Sequence, residues 1–352
     1  MKIKLTKQEK NWILYDVGNS AFTLLAATIL PIYFNYIAGK QGLSDVQYLA
    51  YWGYAVSIAT LLTALAGPVF GTVADTKGYK KPVFTIALGI GAIASVALGF
   101  AKYWLAFLVV FVIAKVGYSV TLVFYDSMLV DVTLEDRMDE VSSQGYAWGY
   151  IGSCVPFVIC LLVVLNAGKI GITMEIAMMV SFVIITVWWV IMTLPLLKTY
   201  HQKYYVEKKQ HAFSESFKRI GITLKNVKKE KKVFLFLLAF FFYIDGVYTI
   251  IDMATAYGSA LGLSSTGLLL ALLLTQIVAS HCDYFGRLAK KYSAEKLITV
   301  CIVAYLGVAI LRFSALPVAV LGSCCLGRHV PGRCAGAFKI LLYENYTGEP
   351  VR

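Results

Sequence analysis

Long apolar runs dominate the chain, and most of them approach or exceed the roughly 20 residues that an α-helix needs to cross a bilayer. Short polar segments separate these runs. The runs cover residues 12–38, 50–74, 82–101, 103–130, 145–166, 174–197, 233–256, 265–280 and 296–311. The pattern predicts an all-α integral membrane protein with about nine clear transmembrane helices.

The composition supports the same class. Hydrophobic residues make up 59% of the 352 positions and charged residues 15%, whereas soluble domains carry about 25% charged residues. The basic N-terminus, MKIKLTKQEK, resembles the start of a signal peptide, but the apolar run behind it is too long for a signal-peptide core. We therefore expect this run to be retained as the first span.

The net charge of +12 is unevenly distributed. Segments alternate between two sides of the predicted membrane, and those on the side of the N-terminus hold 23 Lys and Arg. The segments on the other side hold only Lys40, Lys102 and Lys169. Because basic loops stay in the cytoplasm, the basic residues are expected to face membrane lipid there, and nucleic acid is not an expected partner.

The loop GTVADTKGYKK, between the second and third runs, resembles a motif of the major facilitator superfamily. The matching residues are Gly71, Asp75, Gly78 and Lys80. The match departs at Thr76, where a basic residue is usual. Gly71 is expected to let helices approach, Gly78 to allow a tight turn, and Asp75 to interact with a helix end or a cation. Six runs, a long basic loop and a second set of runs also follow this superfamily's plan.

Three further segments narrow the resemblance: WILYDVGNSAF, SSQGYAWGYIGS and FLLAFFFYIDGVYTIIDMATAYG. Together they are similar to the branch of the autophagy-linked vacuolar amino-acid effluxer, which also holds many bacterial permeases. The likeness covers roughly residues 8–311. It implies a major facilitator helical bundle of two six-helix halves and, in the fungal member, export of amino acids. The implied location is a bacterial plasma membrane, or a vacuolar membrane if the chain is fungal.

This plan predicts four regions. They are an N-terminal six-helix half (1–197), a basic cytoplasmic linker (198–232), a partial C-terminal half of three helices (233–311) and an atypical tail (312–352). The family expects twelve spans, and the tail is dense in Cys, Gly and Arg instead. We expect a shifted reading frame near residue 312. The alternative to a transporter is therefore a truncated, non-transporting membrane protein or scaffold.

Polar residues inside the predicted spans are the candidates for a transport pathway, because helices in lipid turn such residues inward. In the superfamily, spans one, four, seven and ten line the central cavity. The candidates are Asp16 and Asn19 on span one, Lys115 and Asp126 on span four, and Asp245 and Asp252 on span seven.

Position along the span leaves an alternative for some of them. Asp16 and Asp126 lie near the cytoplasmic ends of their spans and Asp252 lies towards the outer end, so each of the three could be interfacial. Lys115 and Asp245 lie near mid-membrane, and we expect them to face one cavity from opposite halves.

No constellation for catalysis, metal binding or ATP binding is recognisable, so the sequence predicts neither an enzyme nor a cofactor. Carboxylates are the only strong titratable candidates in the spans, which favours proton coupling. The sequence thus predicts a secondary active transporter of small solutes that works by alternating access, and it leaves the substrate open.

Overall fold

The computed structural model describes residues 4–207 and 231–280, together with Thr299 and Val303. Within these residues the chain is helical. The helices are α1 Lys7–Ala27, α2 Ile29–Lys40, α3 Asp45–Asp75, α4 Lys80–Ala97, α5 Trp104–Val132, α6 Met138–Leu165, α7 Ala167–Ile170, α8 Met174–Thr199, α9 Lys231–Ala260 and α10 Ser265–Ser280. Short 3-10 turns occupy Leu98–Phe100 and Glu135–Arg137.

Seven helical segments of the described chain are long and apolar enough to span a membrane. Together with the shorter α10, they coincide with eight of the nine predicted runs. The ninth run (296–311), most of the basic linker (208–230) and the tail (312–352) lie outside the described residues. The fold is thus an all-α integral membrane bundle of the expected class.

Side-chain caps set several of the helix starts. Thr6 accepts a hydrogen bond from the Glu9 backbone N–H at 3.2 Å, and Glu9 accepts one from the Thr6 N–H at 2.7 Å. Ser44 and Gln47 form the same reciprocal box before α3. Each box satisfies N–H groups that have no partner inside the helix, so these polar residues fix where the apolar runs begin to wind.

The first predicted run, 12–38, is not one continuous helix, because it breaks at Thr28 between α1 and α2. Pro31 has no N–H, so the carbonyl of Ala27, four residues earlier, loses its helical partner. Thr255, near the end of α9, donates a hydrogen bond to that carbonyl at 2.6 Å. A distant hydroxyl therefore compensates for the break.

The chain divides into two compact units, one of Met1–Ser216 with Thr255–Leu269 and one of Phe217–Ala254 with Leu270–Arg352. In the first unit, α1 and α2 are central: 83% of their most apolar window is buried, against 17% for Asp45–Gly67 of α3. In the second unit, Val247 is buried against Phe240, Tyr243, Ile250 and Ile251. The polar face of α1 consequently lies inside protein rather than against lipid.

Candidate functional site

Glycines on α6 let it approach α1 closely. A Cβ at Gly149 would lie 2.7 Å from Ser20 Oγ, and one at Gly152 would overlap Val17 Cγ1. A Cβ at Gly145 would lie 3.0 Å from the Trp12 ring. Small residues four positions apart allow two helix backbones to pack closely, and here they bring the α6 backbone against the polar side of α1.

The polar residues of α1 meet α5 in a row of hydrogen bonds, which we call the α1–α5 polar column. Its members are Tyr15, Asp16, Asn19 and Thr23 of α1 with Tyr118, Thr121 and Tyr125 of α5. The Tyr15 hydroxyl donates to Thr121 Oγ1 at 2.7 Å, and the Thr23 and Tyr118 hydroxyls are 2.6 Å apart. The column runs between two otherwise apolar helices, where each unpaired polar group would be costly.

Asp16 lies deep in this column. Its side chain is buried, and its Oδ1 accepts a hydrogen bond from Asn19 Nδ2 at 3.2 Å. Trp12 stacks on Tyr125 with ring centroids 4.2 Å apart, and Tyr15 packs on the same ring. The Trp12 ring and the Tyr125 hydroxyl border the same space beside Gly145 as Asp16 Oδ2, so the carboxyl lies next to an aromatic layer.

The α5 side of the column is made by residues that neighbour the two candidates on this helix. The sequence singled out Lys115 and Asp126, but Lys115 is half-buried and Asp126 is exposed. Tyr118 and Thr121, on the neighbouring stripe, share hydrogen bonds with α1. A clue was available, because positions 118, 121 and 125 repeat the three- and four-residue spacing of Asp16, Asn19 and Thr23.

Asp245 and Asp252 belong to α9 within the second unit. Asp245 is exposed and Asp252 is half-buried. They are seven residues apart, so they share one side of the helix. Val247 is buried on a different side of α9, so Asp245 is not part of the unit's apolar contacts.

Lys80 of the loop motif forms a buried ion pair. Lys80 and Asp131 are 2% and 1% exposed, and Lys80 Nζ lies 3.0 Å from Asp131 Oδ2. Asp131 also accepts hydrogen bonds from the Tyr200 hydroxyl at 2.5 Å and from the backbone N–H groups of Lys203 and Tyr204 at 2.9 Å each. We call Lys80, Asp131, Tyr200 and these two N–H groups the Asp131 cluster. Burial, and then the hydrogen bond to Asp131, raise the pKa of Tyr200 far above its usual range.

Residues 200–207 lie along the loop motif. Gln202 donates to the carbonyls of Ala74 and Thr76 and accepts from the Gly78 N–H at 3.0 Å. Val206 N–H donates to the Asp75 carbonyl at 2.7 Å. The first residues of the predicted linker are therefore fixed to the N-terminal half, which the composition of the linker did not indicate.

The other motif residues have simpler environments. Gly78 has φ +77, the left-handed conformation that glycine adopts most easily, so the expected tight turn is present. No described atom lies within 4 Å of a Cβ built at Gly71, so no close helix approach occurs there in this part of the chain. Asp75 is exposed. A hydrogen bond to exposed Glu207 raises the pKa of Lys77.

Metal-ligating side chains do not cluster in this part of the protein. Within the described ranges, no three His, Cys, Asp or Glu side chains are grouped so as to hold a metal ion. The Cys and His residues of the tail lie outside those ranges.

Comparison with known sequences gives matches over most of the chain. The family described as "Vacuole effluxer Atg22 like" matches residues 6–136 and 130–319, so most of the predicted atypical tail lies beyond the match. The MFS-type transporter YxiO of Bacillus subtilis (strain 168) is 41% identical over 319 residues, which are 89% of this chain and 74% of that protein. The multidrug resistance protein MdtG of Yersinia enterocolitica is 36% identical over 92 residues, 26% of this chain and 21% of that protein.

Solved structures with the same fold are also transporters. The nucleoside transporter NupG aligns with a TM-score of 0.60 at 16% identity, over 97% of this chain and 83% of that chain. The D-xylose-proton symporter aligns with a TM-score of 0.59 at 14% identity, over 96% and 81%. At these identities the likeness establishes the fold and not the substrate.

Proposed function

The chain belongs to the Atg22-like family of major facilitator membrane transporters, and from this premise we propose that it moves small amino acids across a bacterial plasma membrane by proton-coupled alternating access. The transporter class follows from the family. The substrate, the coupling and the membrane are the proposed part. No catalytic role is assigned to any residue.

The α1–α5 polar column is the observation that carries the proposal. Tyr15, Asn19 and Thr23 give α1 hydroxyl and amide groups on the side that meets α5, and Asp16 adds a carboxyl. Polar groups are costly inside a membrane protein and mark substrate or ion pathways. A scaffold would be served equally well by apolar contacts between the two helices, so the column favours transport.

The family description and the charges support amino acids. "Vacuole effluxer" names an export activity, and the related structures carry nucleosides, xylose or peptides, so the fold itself accepts many small polar solutes. An amino acid carries one positive and one negative group. We expect the Lys115 ammonium and the Asp245 carboxylate, each near the middle of its span, to offer one charge each to such a zwitterion.

Transport in reconstituted vesicles tests the proposal. Purified protein in liposomes, with an imposed pH gradient, should accumulate labelled amino acids from a mixture, and an uncoupler should abolish the accumulation. Labelled xylose and a nucleoside serve as comparison solutes, because structural relatives carry them. Accumulation of a comparison solute alone would contradict the substrate class. Absence of flux for every solute and gradient would favour the non-transporting alternative.

The mid-membrane charges give a second expectation. Neutralising either partner, by Lys115→Ala or Asp245→Asn, should slow amino-acid uptake roughly tenfold or more, since an uncompensated charge at mid-membrane costs about 2.5–3.5 kcal/mol and each 1.4 kcal/mol is about a factor of 10. Exchanging the two residues should restore part of the rate.

Lys102→Ala and Asp45→Asn are matched controls, because both residues are exposed outside the helical centres. These variants should transport at the wild-type rate. Normal uptake by both Lys115→Ala and Asp245→Asn at normal expression would remove the two charges from the mechanism.

A further inference from the structure

The first unit contains two buried aspartates whose surroundings differ sharply. Asp131 faces the Lys80 ammonium and accepts three further hydrogen bonds, from Tyr200 and from two backbone N–H groups. Asp16 accepts one hydrogen bond, from the Asn19 amide, and that bond goes to Oδ1. In the described part of the chain, no donor bonds Asp16 Oδ2 and no cation pairs with it.

An unused hydroxyl faces the same space as that oxygen. The Tyr125 side chain is 3% exposed, and its hydroxyl has no hydrogen-bond partner among the described residues. A Cβ at Gly145 would lie 3.2 Å from Asp16 Oδ2 and 3.4 Å from the Tyr125 hydroxyl. Both polar atoms therefore face the same space, which glycine leaves unfilled.

The other charged and titratable groups around Asp16 do not stabilise an anion there. From α5, Asp126 brings a second negative charge that acts on Asp16, and Tyr125 is the ring that packs nearest. From α6, Tyr146 acts on Tyr125, and from α1, Tyr15 packs on the same ring. From α8, Trp188 bonds the Val17 carbonyl and brings no charge.

Lys115 lies too far along α5 to act as the cation that would pair with Asp16. It lies 11 residues before Asp126, which is about 16 Å along the helix. Tyr118, one turn from Lys115, is level with Thr23 rather than with Asp16. The Asn19 amide and a like charge thus act on Asp16, and the Trp12 ring and the Tyr125 hydroxyl border the same space beside Gly145.

A carboxyl group in such a place is more stable as the neutral acid than as the anion. A buried carboxylate needs several donors or a cation to replace the water it has lost. The neutral acid carries an O–H, and the Tyr125 hydroxyl oxygen can accept a hydrogen bond from it. Protonation would therefore satisfy both groups that are left without partners.

We propose that Asp16 is a proton-binding site, which holds its proton on Oδ2 beside Gly145 and donates it in a hydrogen bond to Tyr125. Binding forms the Oδ2–H bond with a proton from water, and release returns that proton to water and leaves the carboxylate. The use of this proton in transport rests on the proposed function, but its binding does not.

Infrared spectroscopy of the lipid-reconstituted protein tests the site without any transport assay. At neutral pH, the spectrum of the wild type minus that of Asp16→Asn should contain the C=O stretch of a protonated carboxylic acid. Raising the pH should abolish this band. Tyr125→Phe should retain the band but shift it to higher frequency, because the O–H loses its acceptor.

Two aspartates serve as controls. Asp131→Asn should leave the band in place at neutral pH. Asp126→Asn should leave it in place at acidic pH, where the loss of the neighbouring like charge does not ionise Asp16. The proposal is overturned if no such band occurs at any pH, if the band survives in Asp16→Asn, or if it is missing from Asp126→Asn even at acidic pH. Gel filtration and circular dichroism establish that each variant is folded, and the Tyr125→Phe shift decides the question if Asp16→Asn does not fold.

The two proposals fail in different ways. A band assigned to Asp16 in protein whose uptake ignores the proton gradient would support the site and overturn the proposed coupling. Gradient-driven uptake without the band would support the coupling and overturn Asp16 as the site.

Discussion

Replacing Asp131 with alanine should lower the free energy of unfolding by about 3–5 kcal/mol, since removing one partner leaves the other buried without compensation. The change removes the carboxylate that the Tyr200 hydroxyl and two backbone N–H groups bond. It also leaves the buried Lys80 ammonium with the neutral Ser127 carbonyl, 3.0 Å away, in place of an anion. Titration of the detergent-solubilised protein with sodium dodecyl sulfate, followed by circular dichroism, measures the loss.

A double-mutant cycle separates the pair from its surroundings. Lys80→Met and Asp131→Leu should each destabilise strongly on their own. The double variant with both changes should cost clearly less than the two single changes together, because it removes both charges. Lys77→Ala is the matched control. The ion pair between Lys77 and Glu207 is exposed, so Lys77→Ala should lower the free energy of unfolding by no more than about 1 kcal/mol. Additive single effects would contradict the buried-pair interpretation.

The Asp131 cluster also illustrates what the sequence could and could not predict. The loop motif singled out Lys80, but Asp131 lies 51 residues further on and Tyr200 lies 69 beyond that. Hydropathy identifies helices because a helix depends on residues that are close together in the sequence. It does not identify which loop residue meets which helix end, since those contacts depend on how the helices pack.

The break in the first run had a similar origin. Pro31 was visible in the sequence, and an interior proline is expected to disturb a helix. Whether the helix kinks or breaks depends on what takes over the freed carbonyl of Ala27. Here the partner is Thr255, 228 residues away in the chain. The position of the break therefore follows from a tertiary contact rather than from local propensity.

The sequence singled out members of the α1–α5 polar column on α1 and none of its tyrosines on α5. Asp16 and Asn19 were found because a carboxyl and an amide are conspicuous in an apolar run. On α5 the same criterion selected Lys115 and Asp126, and it passed over Tyr118. Tyrosine counts as apolar in a hydropathy pattern, yet its hydroxyl bonds Thr23 at 2.6 Å. For amphipathic side chains such as tyrosine, the face of the helix on which they lie has to be considered together with their hydropathy.

The substitution Gly149→Leu should lower the free energy of unfolding more than the same substitution at a glycine that faces open space. Ser20 Oγ would lie only 2.7 Å from the first side-chain carbon, so α1 and α6 would have to separate. Overpacking of this kind costs about 1–3 kcal/mol. Close packing is a main source of helix association in a membrane, and α1 is the central helix of its unit. The same denaturation measurement should report a graded loss, smaller for Gly149→Ala than for Gly149→Leu.

Gly89→Leu provides the matched control for this series. Gly89 is also inside a helix, α4, and no described atom lies within 4 Å of a Cβ built there. Leucine at this position should leave stability unchanged or raise it by up to about 1 kcal/mol, because glycine is a poor helix former. Equal stability of Gly149→Leu and Gly89→Leu would contradict this interpretation. It would mean that the close approach of α6 to α1 does not hold Asp16 in its position beside Gly145.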